Sequence, residues 1–312
     1  MVGFLAAAAL AAGLGACSRG RQAAPGADTA AVLQPAPMAA PAAPDSVALA
    51  LADLAERTRP LVASLDSAVA AIRSESGTVR ADSALALFRE RFELRAESVG
   101  AAVGASRVLQ RWVYPVTPEG WATLDSGAAD SLRRFLSGRV LQPQLGEGML
   151  FATANSAGLA GLFGRYLSPA MREFLALRRG EEAEGFAEDA GLLISWDRLG
   201  ERVATWERFI EANPGFQLLP EARHWYELYL GTLLTGMDNS RVFGGPDATL
   251  QPQVRASYRR FAARHGSTRA GAMVSEYLGV LERNGFQDGP AVRAFLRDRG
   301  VATMIGVQPP TR

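Results

Sequence analysis

The chain has 312 residues, 48% of them hydrophobic, and its 33 basic and 32 acidic side chains leave a net charge of +1. That balance supplies no electrostatic drive toward nucleic acid or anionic lipid headgroups, so a nucleic-acid-binding role is excluded. The lone cysteine leaves no disulfide or zinc-thiolate site, and the two histidines, His224 and His265, fall on different predicted elements without metal-binding spacing, so no metal or cofactor is expected and stability must come from packing.

The chain opens on an apolar run from Val2 that includes Phe4-Leu5-Ala6-Ala7-Ala8-Ala9-Leu10 and closes at Leu14-Gly15-Ala16-Cys17. It is too short for a permanent membrane span but has the length and small-residue ending of a signal-peptide core. The pattern resembles the lipobox of bacterial lipoprotein precursors, with one departure: no Lys or Arg precedes the apolar run. The resemblance implies that residues 1–16 are a signal peptide and that Cys17 becomes the acylated N-terminus. Ser18 in place of an Asp at the next position implies the inner leaflet of the outer membrane, facing the periplasm. From 17 to 44 the chain is rich in Ala and Pro and cannot bury enough apolar surface to offset its ordering entropy. It reads as a tether, and at ~3.1 Å per residue it would reach on the order of 70 Å.

Helical periodicity begins after Asp45-Ser46 with Val47, Leu51, Leu54, Leu61, Leu65, Val69 and Ile72, and Pro60 is expected to kink or split this element. A second long helix is predicted from Ala81 to Gln110, weakened in its second half by Gly100 and Gly104, and a shorter one from Ala128 to Val140. Further helices are predicted over 157–167, after the Ser168-Pro169 start signal, and from Ser195 to the Asn213-Pro214-Gly215 stop. No segment reads as a strand, because β-branched alternation is missing.

The C-terminal third carries an internal repeat. Thr205-Trp206-Glu207-Arg208-Phe209 through Tyr226 and Leu230 runs parallel to Ser257-Tyr258-Arg259-Arg260-Phe261 through Tyr277 and Leu281, offset by about fifty residues. Arg208-Phe209-Ile210-Glu211-Ala212-Asn213-Pro214-Gly215-Phe216, followed by Tyr226 and Gly231, resembles a helix pair of the tetratricopeptide-like outer-membrane lipoproteins of the BamD and YbgF kind, over roughly thirty residues. That resemblance implies a protein-binding role, whereas the spacing alone implies stacked helical hairpins.

Catalytic signals are sparse. There is no lysine for a phosphate-binding loop and no Gly-x-Ser-x-Gly elbow. Glu147, between Gly146 and Gly148, is the most unusual acid. With Asp189 or Asp197 it could form the carboxylate pair that glycan cleavage needs, or it could be a plain turn residue. The loop 236–245 could bind a ligand, but Asn239 and Ser240 are expected to satisfy a helix C-terminus while Val242 and Phe243 anchor the loop in the core. Among the aromatics of the repeat, Trp225 and Tyr229 form a ridge at a step of four and are the candidate partner-binding surface.

The expected fold is all-α: a helical bundle over 45–190, a solenoid-like array of helical hairpins over 191–300 and a tail over 301–312. The expected function is that of a non-enzymatic envelope adaptor whose partner is an unidentified protein or peptide. The alternatives are a peptidoglycan-active enzyme using a carboxylate pair and a glycan- or small-ligand-binding module. Replacing Cys17 with Ser is expected to move the chain from the membrane fraction to the soluble fraction; retention with the membrane overturns the anchor.

Overall fold

Of the apolar positions of the first periodic segment, Val47, Leu54, Leu61, Leu65 and Ile72 are buried along one face of α1 (Pro44–Ser74), and Leu51 and Val69 are half-buried beside them. The computed structural model describes residues 44–113, 116–117, 120–121, 126–146 and 149–301; the Cys17 position, the tether as far as residue 43, Glu147 and residues 302–312 lie outside them. The helix runs through Pro60 without a break, contrary to the expected split. Proline removes one hydrogen bond of the ladder, while buried Leu54, Leu61 and Leu65 hold the helix to its neighbours on either side of that position. After a short turn, Thr78 caps α2 (Val79–Ala105) by accepting from the Arg80 amide, and α2 packs back along α1.

The helix predicted to reach Gln110 stops at Ala105, and α3 (Arg107–Val113) follows Ser106 as a separate piece. The pair β1 (Val116–Thr117) and β2 (Gly120–Trp121) leads to α4 (Ser126–Ser137). Next comes the principal departure from the sequence expectation, an antiparallel pair of six-residue strands, β3 (Leu141–Gly146) and β4 (Met149–Ala154). Neither strand is rich in β-branched residues, and β3 contains Pro143, so propensity does not announce them. The pair is held by tertiary contact instead. Leu150 and Ala152 alternate into the core, and β4 lies across α2 at Gly100, where a Cβ would stand 2.6 Å from the Ala152 carbonyl oxygen. The Gln110 side chain completes the edge: it accepts from the Leu150 amide at 2.9 Å and donates to the Leu150 carbonyl at 2.7 Å.

α5 (Ser156–Phe163), capped by Asn155, runs into a 3-10 turn (Gly164–Tyr166), and α6 (Pro169–Glu184) starts at Ser168 as its N-cap and proline predict. A two-residue hairpin, β5 (Ala187–Glu188) and β6 (Gly191–Leu192), precedes the repeat. The repeat itself comprises α7 (Trp196–Ala212), α8 (Leu219–Thr235), α9 (Pro252–His265) and α10 (Arg269–Arg283), with α11 (Pro290–Asp298) packed on α10. α7 pairs with α8 and α9 with α10, and α7 also lies against α9 at Gly200, where an added Cβ would meet the Phe261 ring at 2.9 Å. The connection between α8 and α9 carries β7 (Gly236–Met237), β8 (Ser240–Arg241), β9 (Phe243–Gly244) and β10 (Thr249–Leu250), paired β7 with β8 and β9 with β10.

The fold is therefore all-α, with eleven helices and only short antiparallel strand pairs among the described residues. One hydrophobic cluster runs from Leu54 in α1 to Leu296 in α11, so the N-terminal helices and the hairpins share a core. Its seam is aromatic: Phe174 of α6 meets Trp206 at 5.6 Å and Phe216 at 5.2 Å between ring centroids. The repeat-equivalent aromatics Trp206 and Tyr258, and Phe209 and Phe261, are all buried.

The two glycines of α2 behave oppositely in this packing. Gly104 has room, its nearest would-be contact being the Leu150 carbonyl oxygen at 3.8 Å, so Gly104→Ala should raise stability by up to about 1 kcal/mol. Gly100→Ala gains the same helix propensity but forces β4 away, and a net loss of about 1–3 kcal/mol is expected. Urea unfolding of the two variants checks both signs.

Candidate functional site

On α6 the apolar stripe Met171, Phe174 continues at helical spacing into Arg178 and Glu181, so two charged side chains occupy positions that point toward the core. On α7 the stripe Leu199, Arg202, Val203, Trp206 does the same, and α8 contributes Trp225 and Tyr229. The three helices bring these groups together around Glu181, which is only 7% exposed. Trp206 Nε1 donates to one carboxylate oxygen at 2.7 Å; the Tyr229 hydroxyl and Arg178 Nη1 donate to the other at 3.0 Å and 2.7 Å. Arg202, 2% exposed, donates from Nη2 to Glu184 Oε2 at 2.8 Å and to the Gly185 carbonyl at 2.6 Å, closing the C-terminus of α6. Glu182 accepts from the amide and hydroxyl of Ser156 and so ties α6 to the start of α5.

The electrostatics follow from burial and pairing. Burial and the adjacent Glu181 charge push the Tyr229 hydroxyl far above its ordinary value, so it remains a donor over the working pH range. Glu184 is held below the usual carboxylate value chiefly by its hydrogen bond from Arg198. Burial disfavours the charge on Arg89 of α2, but the paired Glu221 of α8 outweighs it and raises the guanidinium further. That pair is bidentate, with both contacts at 3.0 Å. A catalytic acid or base needs an oxygen that can reach a substrate proton. Both Glu181 oxygens instead face protein donors, and this cluster is built to hold helices in register.

The sequence candidates are dispersed. Asp197, in the first turn of α7, accepts from Arg260 of α9 at 3.1 Å and 2.8 Å, and those hydrogen bonds hold it below its ordinary value. Asp189 is an exposed turn residue with φ of 45°, followed by Ala190 at 53°, in the loop of the β5–β6 hairpin. Glu147 lies outside the described residues. Tyr229 is corrected as a surface residue: it is 1% exposed and hydrogen-bonded inside the core. Trp225 is half-buried, with the Arg178 guanidinium 3.5 Å from its ring centroid. The expected exposed ridge is thus absorbed into the α6–α8 packing, because Arg178 covers one residue and the Glu181 carboxylate draws the other inward.

The loop 236–245 also differs from expectation. Asn239 and Ser240 serve the β5–β6 hairpin rather than a helix end: the Asn239 amide donates to the Ala190 carbonyl at 2.9 Å, and Ser240 Oγ accepts from the Leu192 amide at 2.9 Å. Val242 is buried as expected, and Phe243 is half-buried against the core. His265 reaches Glu201 at 3.2 Å and His224 is exposed. Among the described residues, no group of three His, Cys, Asp or Glu side chains is placed to hold a metal ion. Sequence reading overlooked Glu181 and Arg202; their signal was a charge standing in phase with an apolar stripe.

Comparison with protein-family models, curated proteins and solved structures finds no match for this chain.

Glu181→Ala leaves the Trp206, Tyr229 and Arg178 donors facing a void, and a loss of about 3–5 kcal/mol is expected in denaturant unfolding. Acid should act through the exposed pairs as well. Asp197, Glu184 and Glu201 all have folded-state values below their ordinary 3.8 and 4.5. The stability they contribute is complete above pH 4.5 and is lost as pH falls through the lower folded-state values. Thermal melts from pH 6 downward check the sign; a melting temperature that rises on acidification contradicts it.

Proposed function

We propose that this chain is a cell-envelope adaptor, anchored through an acylated Cys17, that uses its helical hairpins to bind a protein partner. The observation that carries the reading is the pair of hairpins α7–α8 and α9–α10, packed side by side with equivalent buried aromatics, an arrangement suited to presenting an extended surface. The buried acid Glu181 and the candidate acid Asp197 are both committed to structural donors, which favours binding over catalysis. No helix of the described residues is long and apolar enough to cross a membrane, so in this reading membrane attachment rests on the lipid at Cys17 and the outer-membrane placement on Ser18.

Affinity capture of the tagged chain from chemically cross-linked envelopes tests the proposal. One protein recovered in near-equal amount, with cross-links mapping to residues 196–283, is the expected result. Peptidoglycan digestion by the purified chain, lost in Glu147→Gln and without a cross-linked protein, would replace the adaptor with the enzyme reading.

A further inference from the structure

The arginines of α9 divide into two sets. Arg260 and Arg264 reach acids on α7, Asp197 and Glu201. Arg255 and Arg259, one turn apart on a different face, have no acidic partner among the described residues, and both line a cleft of about 520 Å³ with no Asp or Glu among its described lining residues. Arg255 is held in place: its guanidinium lies 3.4 Å from the centroid of the Phe286 ring, and its Nε is shielded from solvent without a hydrogen-bond partner. A buried donor left unpaired is costly, and most such donors in folded proteins are satisfied. Phe286 is itself held in an unfavourable backbone conformation, with φ of 59°, by hydrogen bonds of 2.7 Å from its amide to Leu281 and from the Leu250 amide to its carbonyl. The turn therefore fixes an aromatic face against which one guanidinium is oriented, while the second stands free at the rim. Thr249 and Pro252 complete the wall.

We propose that this cleft binds a carboxylate side chain of an acidic peptide segment, with Arg255 as the fixed fork, Arg259 as the mobile clamp and Phe286 with Leu250 and Pro252 as the apolar bed for a neighbouring residue. Two planar forks on one face match a carboxylate, and the apolar wall selects a peptide over a free ion. The inference rests on the adaptor reading and specifies the chemistry of the partner.

The test uses the purified full chain and the Nε–Hε NMR resonances of its arginines, with those of Arg255 and Arg259 identified by their loss in Arg255→Gln and Arg259→Gln. The probes are a peptide of alternating Leu and Glu, its Leu and Gln counterpart, and free glutamate. Saturable shifts of both resonances with the Glu peptide alone are expected, with affinity falling about tenfold or more in Arg259→Gln, whose exposed side chain makes no contact the fold needs. Added salt should weaken the binding. An equal response to the Gln peptide, binding of free glutamate as tight as that of the Glu peptide, unchanged affinity in Arg259→Gln, or no saturable shift each overturns the proposal. Capture of a partner from envelopes without any Arg255 response would leave the adaptor reading standing and remove this cleft from it.

Discussion

The Glu181 carboxylate receives hydrogen bonds from three donors, and those donors come from α6 itself, from α7 and from α8. A buried carboxylate is tolerated only where its lone pairs are met, so the three helices must keep the rotation and axial register that place Arg178, Trp206 and Tyr229 within reach. A slip of one residue would turn Trp206 or Tyr229 away and leave the charge uncompensated. Phe174, about two turns before Glu181 on α6, adds the apolar half of the same joint by packing on Trp206, Phe209 and Phe216. The N-terminal helices and the hairpins thus meet in a joint whose geometry is specified by a charge and whose free energy comes mainly from apolar burial.

The same device recurs elsewhere. Asp82 of α2 accepts from the Ser168 amide at the N-cap of α6, and Glu207 of α7 accepts from the Ala270 amide in the first turn of α10. A carboxylate at a helix N-terminus satisfies an orphan donor and complements the helix dipole, so each contact fixes where the next helix begins. Arg89 with Glu221 and Arg202 with Glu184 supply the cationic counterpart. The absence of lysine suits this use, because the guanidinium fork can meet two acceptors at once and is more weakly hydrated than an ammonium. Arg255 differs from Arg89 and Arg202 in that, among the described residues, no carboxylate is paired with its guanidinium.

Helix existence was legible in the sequence because burial at every third or fourth position is a local pattern, and the caps Ser168 and Ser195 sit where their spacing predicts. The two-hairpin repeat was legible for the same reason, since Trp206, Phe209, Tyr258 and Phe261 recur at a fixed offset. Less was legible of the site. Tyr229 reads as a surface aromatic until Glu181 is seen beside it, and Asp197 reads as a free acid until α9 delivers Arg260.

By itself the sequence determined the all-α class, the capped starts of α6 and α7 and the pairing of the last helices, while the anchoring proposal rests on the apolar run that ends at Cys17. These follow from periodicity, capping chemistry and short-range order, all carried by neighbouring residues. The β3–β4 hairpin, the unbroken course of α1 through Pro60, the merging of bundle and hairpins into one core, and the fate of every charged candidate were decided by tertiary structure. Each depends on a partner tens of residues away, such as Ala152 against Gly100 or Tyr229 against Glu181, and no local pattern encodes such a meeting.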